Sequence, residues 1–253
     1  MIVYSANKGL FVQDVRTNVI ATKILNLIRE KGFNAGQERE FAAWQNSMQF
    51  MRNIVDDADI DDEVQIAIEY NIPQTSKRVD FIIIGANETG KDNIVIVELK
   101  QWTKAEVVDD DMHFSVRTYV ANDNRIVCHP SYQAYSYSRF IGNYSQFVQN
   151  NDIRLVPCAY LHNYHPEYKP ALSADIYKEW YTSAPFFIMD EVQPFTDFIK
   201  KHVTKKSSKG DLLYLIDHGR IKPSKSLQDA ASSNSILSAA SFMDCSRSFN
   251  SGA

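Results

Sequence analysis

Apolar residues recur at helical spacing from Val12 to Ile28, through Val15, Val19, Ile20, Ile24 and Leu27, and Gly32 follows them. That spacing predicts a helix over residues 12–31. A second stripe, Phe41, Trp44, Met48, Met51 and Val55, predicts a helix over 37–55, with the acidic stretch 56–63 as a loop after it. The period then shortens from 3.6 to 2. In VQIAIEY (64–70) Val64, Ile66 and Ile68 fall on one face, and RVDFIIIG (78–85) and NIVIVELK (93–100) follow after turns marked by Pro73 and Gly90. Three consecutive strands with short connections predict an antiparallel meander. A hairpin is expected over 113–120 and 125–128, and a helix from Pro130 to about Gln149 with Ser131 as its cap. Strands over 154–161 and 185–190 and helices near 190–203 and 211–218 complete the pattern. With no internal repeat and no clean linker, residues 1–225 read as one α/β domain, a central mixed β-sheet flanked by helices. Ser226–Ala253, rich in Ser, Ala and Asn, reads as a loosely ordered tail.

Composition narrows the function classes. The 253 residues are 44% hydrophobic and 12% aromatic, which excludes disorder of the whole chain. No apolar run approaches the roughly 20 residues of a membrane helix, and no signal peptide is visible in MIVYSANKGLF. A cytoplasmic protein without a membrane partner is the expectation. The net charge of −4 argues against a protein that coats nucleic acid by bulk electrostatics. The average hides a split: residues 200–225 carry eight Lys/Arg against Asp211 and Asp217, a local +6.

The strand 93–100 carries the candidate chemistry. Ile94, Ile96, Glu98 and Lys100 share one face, and Val95, Val97 and Leu99 the other. A carboxylate and an ammonium at the end of a buried strand are costly without partners. Asp80, on the preceding strand, faces the same difficulty, and on neighbouring strands of one hairpin Asp80 and Glu98 could approach closely. A divalent cation between them would relieve their repulsion, and oxygen ligands with an open coordination sphere suit Mg²⁺ or Mn²⁺. Lys100 could then activate water and stabilise charge on a phosphate. A buried ion pair between an acid and Lys100 explains the same residues.

These residues resemble the PD-(D/E)xK nuclease superfamily, whose mark is an acidic residue on one strand and an acidic-x-Lys triplet on the next; here that is Asp80, then Glu98-Leu99-Lys100. Gln133-Ala-Tyr-Ser-Tyr137 is similar to the Gln-x-x-x-Tyr motif of the RecB-like branch, and i and i+4 share one helix face. The phrases EYNIPQTSKRVDFIIIG, VELKQW, HPSYQAYSY, YLHN and PSKSL resemble the N-terminal nuclease region of bacterial nuclease–helicase proteins whose helicase is of the Schlafen type, over roughly residues 10–227. The resemblance implies a restriction-endonuclease-like core and a metal-dependent nuclease acting on DNA. Asp80, Glu98 and the Leu99 carbonyl would hold the cation, Lys100 would serve the reaction, and Gln133 and Tyr137 would hold substrate. A further carboxylate often completes such sites, for which Glu40 is favoured and Glu69 competes. No Gly-x-x-x-x-Gly-Lys-Ser/Thr loop occurs in these 253 residues, so no ATPase activity is implied for them. A helicase half is either outside this sequence or supplied by a partner.

The remaining candidates are weaker. Cys128-His129 and the pair His162 and His165 are only isolated pieces of a zinc site, and the three cysteines set out no disulfide framework. His129 could line the groove beside Gln133 or serve as a hydrogen-bonded structural histidine. Trp102 reads as a packing residue, and the 200–225 segment could supply distal phosphate contacts. Two rival functions stay open: a nuclease-fold module that binds nucleic acid or regulates a helicase or ATPase without cutting, in defence against phage by family analogy, and an RNA-cutting enzyme.

Overall fold

A computed structural model describes residues 1–32, 38–73, 75–109, 111, 113–120, 122–225 and 228. Ten strands and helices up to the first hairpin set the frame: β1 (Ile2–Asn7), α1 (Lys8–Arg16), α2 (Ile20–Glu30), α3 (Glu38–Asp57), β2 (Gln65–Asn71), β3 (Arg78–Ala86), β4 (Asp92–Lys100), β5 (Ala105–Val107), β6 (Ser115–Val120) and β7 (Asp123–Cys128). They are followed by α4 (Pro130–Tyr144), α5 (Gln146–Asn150), β8 (Arg154–Leu161), α6 (Lys169–Leu172), α7 (Lys178–Ser183), β9 (Phe186–Ile188), α8 (Val192–His202) and α9 (Leu212–His218). The expected α/β class holds. The main sheet has the order β1-β2-β3-β4-β8-β9, antiparallel through β4 and parallel from there, and β5-β6-β7 form a second, antiparallel sheet.

Alternation along β4 assigns its two faces. Val95 and Val97 pack with Phe11 of α1, Ile24 of α2, Met51 of α3 and Phe195 of α8. Ile94 and Ile96 pack instead with Tyr137 and Ile141 of α4 and Leu212 of α9. The sheet is thus sandwiched between two helix layers, and its central strands are apolar on both sides, as burial on both faces requires.

Three local expectations change. The single helix over 12–31 is two, because Asn18 sits at φ 58°, a left-handed conformation that no helix continues through. Ahead of it lies β1, and Asn7 caps α1 by accepting from the Leu10 N–H at 2.9 Å. The helix from Pro130 likewise ends at Tyr144, and Ser145 caps a second one. Its own cap is His129, not Ser131: the His129 ring accepts from the Ser131 N–H, because Pro130 occupies the first helical position. The expectations for the 226–253 tail and for Cys245 lie outside the described residues, Gln228 apart. Among the described residues no helix is long and apolar enough to cross a membrane.

Candidate active site

The sheet ends in a cleft of about 810 Å³, walled by α3 from one face and α4 from the other. Strands β2, β3 and β4 deliver Glu69, Asp80, Glu98 and Lys100 to it, α3 delivers Glu40, and α4 delivers Gln133 and Tyr137. Seven side chains singled out from 253 positions therefore meet in one place.

The β3–β4 ladder explains the centre. Phe81 pairs with Val97, so the next step in register sets Asp80 opposite Glu98. Asp80 Oδ2 accepts from the Leu99 N–H at 2.9 Å, which fixes its carboxylate against the end of β4. Lys100 Nζ donates to Glu98 Oε1 at 2.6 Å. Glu98 is 1% exposed, and its second oxygen, Oε2, is buried without a donor. Burial, and then the Asp80 charge beside it, raise the Glu98 pKa to about 8; Lys100 only partly offsets them. Carboxyl groups poised near neutrality by burial and a like charge are a mark of functional sites.

The α4 residues close over this pair. Gln133 Nε2 donates to the Tyr137 hydroxyl at 2.7 Å, so the i, i+4 pair forms a unit on one helix face. Burial raises the Tyr137 pKa far above the ordinary range, with the Glu98 and Asp80 charges adding to it. Tyr137 is therefore held as a neutral hydroxyl beside the acids.

Arg78 organises the other wall. Its guanidinium bonds Glu40 at 3.1 Å and forms an ion pair with Glu69. Glu69 also accepts from the Trp44 indole N–H at 2.5 Å. Burial raises the Glu69 pKa to about 7, against the pull of Arg78. Burial works against the Arg78 charge too, but Glu69 and Glu40 outweigh it and hold its pKa up. Glu69 stands at φ 59°, a left-handed backbone costing on the order of 1–3 kcal/mol for such a residue. The consequence is visible in the packing: Ile68 belongs to one face of the sheet and Tyr70 to the other, with Glu69 at the crossover.

Neither Arg78 nor Lys77 is among the residues singled out from the sequence, yet both line the cleft. The period of two held the signal for Arg78, which lies two positions before Asp80 and so on its face. His129 takes a different place from the groove position considered for it. It is fully buried, bonds the Leu172 carbonyl at 3.0 Å, and is absent from the cleft wall. Trp102 is buried among Val116, Leu161 and Tyr164, and it also lines the cleft, with the Lys100 ammonium 5.4 Å from its ring centroid. His162 bonds Ser47 at 3.0 Å and Asn163 at 3.1 Å.

The basic segment lies away from the cleft. Lys205 pairs with Ala86, six residues along β3 from Asp80, roughly 20 Å away at about 3.3 Å per residue. Lys206 and Lys209 are paired with Glu63 and Asp92, and Lys222 bonds the Tyr144 carbonyl at the far end of α4. The cations that reach the cleft are Lys77, Arg78 and Lys100.

Whether a divalent cation suits the cleft can be judged from its donors. Asp80 and Glu98 place two carboxyl groups side by side, Glu98 Oε2 is an orphaned buried acceptor, and Leu99 lines the same wall. This excess of acceptors over donors fits a hard cation. Glu40 and Glu69 are already engaged by Arg78, and among the described residues no group of three or more His, Cys, Asp or Glu side chains is disposed to hold a metal. Any ion would rest on Asp80, Glu98, a main-chain carbonyl and water. The chain matches no protein-family model, no curated protein and no solved structure.

Proposed function

We propose that the cleft is the active site of a metal-dependent nuclease that hydrolyses phosphodiester bonds, in DNA in preference to RNA. One observation carries the reading: Asp80, Glu98 and Lys100 converge on the floor of a cleft whose walls hold Gln133 and Tyr137. The order in which strand, strand and helix supply them supports the resemblance to the PD-(D/E)xK nucleases.

Asp80, Glu98 and the Leu99 carbonyl would hold Mg²⁺ or Mn²⁺, which when bound supplies positive charge to a phosphate and acidifies water. Without the cation, burial and Asp80 hold the Glu98 pKa at about 8, and a bound cation would favour its ionised form. Lys100, which bonds Glu98 at 2.6 Å, would orient the attacking water and steady charge on the phosphate oxygens. Gln133 and Tyr137 offer an amide and a neutral hydroxyl to the substrate backbone. A DNA-acting enzyme of this kind would work in the cytoplasm, alone or beside a helicase partner.

The test is direct. Plasmid, linear duplex, single-stranded DNA and RNA are incubated with Mg²⁺, Mn²⁺ or EDTA, using wild type, Asp80→Ala and Lys100→Ala. Metal-dependent products from wild type alone support the assignment, and identical products from all three proteins remove it. Cleavage of RNA only would move the substrate class. The Lys100–Glu98 contact at 2.6 Å favours a second reading, because a buried ion pair is also what a non-catalytic binding module would keep there. Tight binding of nucleic acid with no cleavage under any metal would select it.

A further inference from the structure

The sequence phrase YLHN (160–163) has no part in the proposed nuclease chemistry, yet its His162 and Asn163 complete a chain of hydrogen bonds that begins in the cleft. Ser47, on α3, lines the cleft and is 5% exposed. Its hydroxyl lies 3.0 Å from His162 Nε2, and His162 Nδ1 lies 3.1 Å from Asn163 Oδ1. Gln101, another residue of the cleft wall, donates one amide N–H to Ser47 Oγ at 3.0 Å and the other to the Ala43 carbonyl at 3.1 Å. The ends of the chain fix the directions of its bonds. Asn163 Oδ1 only accepts, so His162 Nδ1 carries the ring proton and Nε2 is the bare acceptor. Ser47 Oγ accepts from Gln101 and donates its own proton along the remaining bond, to Nε2.

A hydroxyl bonded to a neutral imidazole, with the imidazole held by a third group, is the arrangement that activates a serine as a nucleophile. Burial suits the roles. Ser47 reaches the cleft, whereas His162 is 2% exposed and absent from the cleft wall. The groups packed on its ring, Ser47 and Phe50 of α3, Tyr160 of β8 and Asn163, carry no charge. Burial lowers the His162 pKa, with the Asn163 hydrogen bond working against it, so the ring is neutral and able to accept a proton at neutral pH.

We propose that Ser47, His162 and Asn163 form a second catalytic centre in the same cleft, one that hydrolyses carboxylic esters and has no need of the cation assigned to Asp80 and Glu98. Ser47 Oγ adds to the ester carbonyl carbon as its proton passes to His162 Nε2. The carbon–alkoxy bond then breaks, and Nε2 gives the proton to the departing alkoxide, which leaves as the alcohol. Water attacks the acyl-serine in the same way: its proton passes to Nε2 and from there to Ser47 Oγ, and the carboxylic acid is released. The Gln101 N–H, 3.0 Å from the attacking oxygen, is a donor beside the place where charge develops on the carbonyl oxygen. Asn163 is a positioning residue that acts through His162. It orients the ring without the negative charge that would stabilise an imidazolium, which suits esters, whose alkoxide leaves more readily than an amide nitrogen.

The experiment uses the full chain in EDTA, without nucleic acid, so its outcome is independent of the nuclease reading. A fluorophosphonate probe, whose phosphorus bonds Ser47 Oγ and loses fluoride, is followed by mass spectrometry, and hydrolysis of 4-nitrophenyl acetate by absorbance. Wild type is expected to carry one adduct, on Ser47, and to turn over the ester. Ser47→Ala should lose both, and His162→Gln should slow both about 100-fold, the share of a general base. Asn163→Asp keeps the hydrogen bond and adds a negative charge, so it should raise the pH at which labelling falls to half as His162 is protonated. A network that only fills space would show no such shift. No Ser47 adduct on folded wild type, equal labelling of wild type and folded His162→Gln, or an unmoved pH midpoint in Asn163→Asp would overturn the proposal.

Discussion

Lys100→Met tests the electrostatics of the cleft floor more sharply than loss of activity can. The substitution keeps the length of the side chain and removes its charge. At 2.6 Å and an effective dielectric constant of about 20, the Lys100–Glu98 attraction is on the order of 6 kcal/mol before desolvation is subtracted. Removing one partner of such a buried pair costs about 3–5 kcal/mol when the other stays ionised. Glu98 has a way out, however, because burial and Asp80 already raise its pKa from 4.5 to about 8. The sign follows from that direction. A carboxyl whose folded pKa lies above its unfolded value contributes stability that is fully present below about 4.5 and is lost as pH rises through about 8. Without Lys100 the folded value climbs further, so the protonated form persists and the variant is penalised mainly at alkaline pH. In EDTA, urea unfolding should place Lys100→Met about 1 kcal/mol below wild type at pH 6, the scale of one lost hydrogen bond, and about 2–3 kcal/mol below it at pH 9, because each pH unit above the wild-type pKa of about 8 adds about 1.4 kcal/mol while the variant's Glu98 stays protonated. Glu98→Gln combined with Lys100→Met should recover most of the pH 9 loss. A penalty equal at both pH values would refute the account, since it would mean that Glu98 does not change protonation across that range.

Asp80→Asn removes the second cause of the Glu98 shift, so the Glu98 pKa should fall from about 8 toward the ordinary carboxylate range; carbon-detected NMR titration of the side-chain carboxyl reads this, and an unmoved value would refute it. Tyr137→Phe deletes the hydroxyl that accepts from Gln133 at 2.7 Å and should cost about 1 kcal/mol in urea unfolding, with a larger relative loss in nuclease rate if the pair also holds substrate. Gly85→Ala would drive a Cβ to 2.5 Å from the Lys205 carbonyl oxygen and 2.8 Å from Val203, and overpacking of this kind costs about 1–3 kcal/mol. Because Gly85 lies at the far end of β3 from the cleft, its variant should lose thermal stability while the folded fraction keeps its nuclease rate unchanged.

The hairpin that carries Asp80 and Glu98 was legible because burial on both faces leaves little but β-branched residues in its strands, and a charge then stands out. The Gln133–Tyr137 pair was legible from its likeness to the Gln-x-x-x-Tyr motif, and the helical period only placed the two side chains on one face. What stayed hidden depends on a single backbone angle or on a partner distant in sequence. Nothing in the apolar stripe of 12–31 marks Asn18 at φ 58°, where one expected helix becomes two. Ser131 is a good capping residue by type, but Pro130 ahead of it takes the first helical position and shifts the cap two positions back to His129. Glu40 and Glu69 were rival ligands in the sequence because either could reach the acids. The fold instead brings both to Arg78, a pairing across 38 and 9 positions that no local pattern encodes.

Depth orders the charges of the cleft, and that order separates attraction from chemistry. Lys77 and Arg78 are half-buried at the mouth, whereas Glu98 and Lys100 are 1% and 8% exposed at the floor. A phosphate approaching a chain of net charge −4 meets the cations first and the acids last. The acids, for their part, are tolerable at the floor only because Lys100, a main-chain N–H or a proton answers each of them. The far-end basic segment can raise overall attraction for nucleic acid but is too distant to aim a phosphate at Asp80. Neutralising Lys77 should therefore change affinity and its salt dependence while the Glu98 titration, followed by NMR without metal, stays fixed. Neutralising Asp80 should move that titration and leave the salt slope alone. If both substitutions altered both quantities together, the mouth and the floor would be one electrostatic unit, and the division of labour inferred from their depths would be wrong.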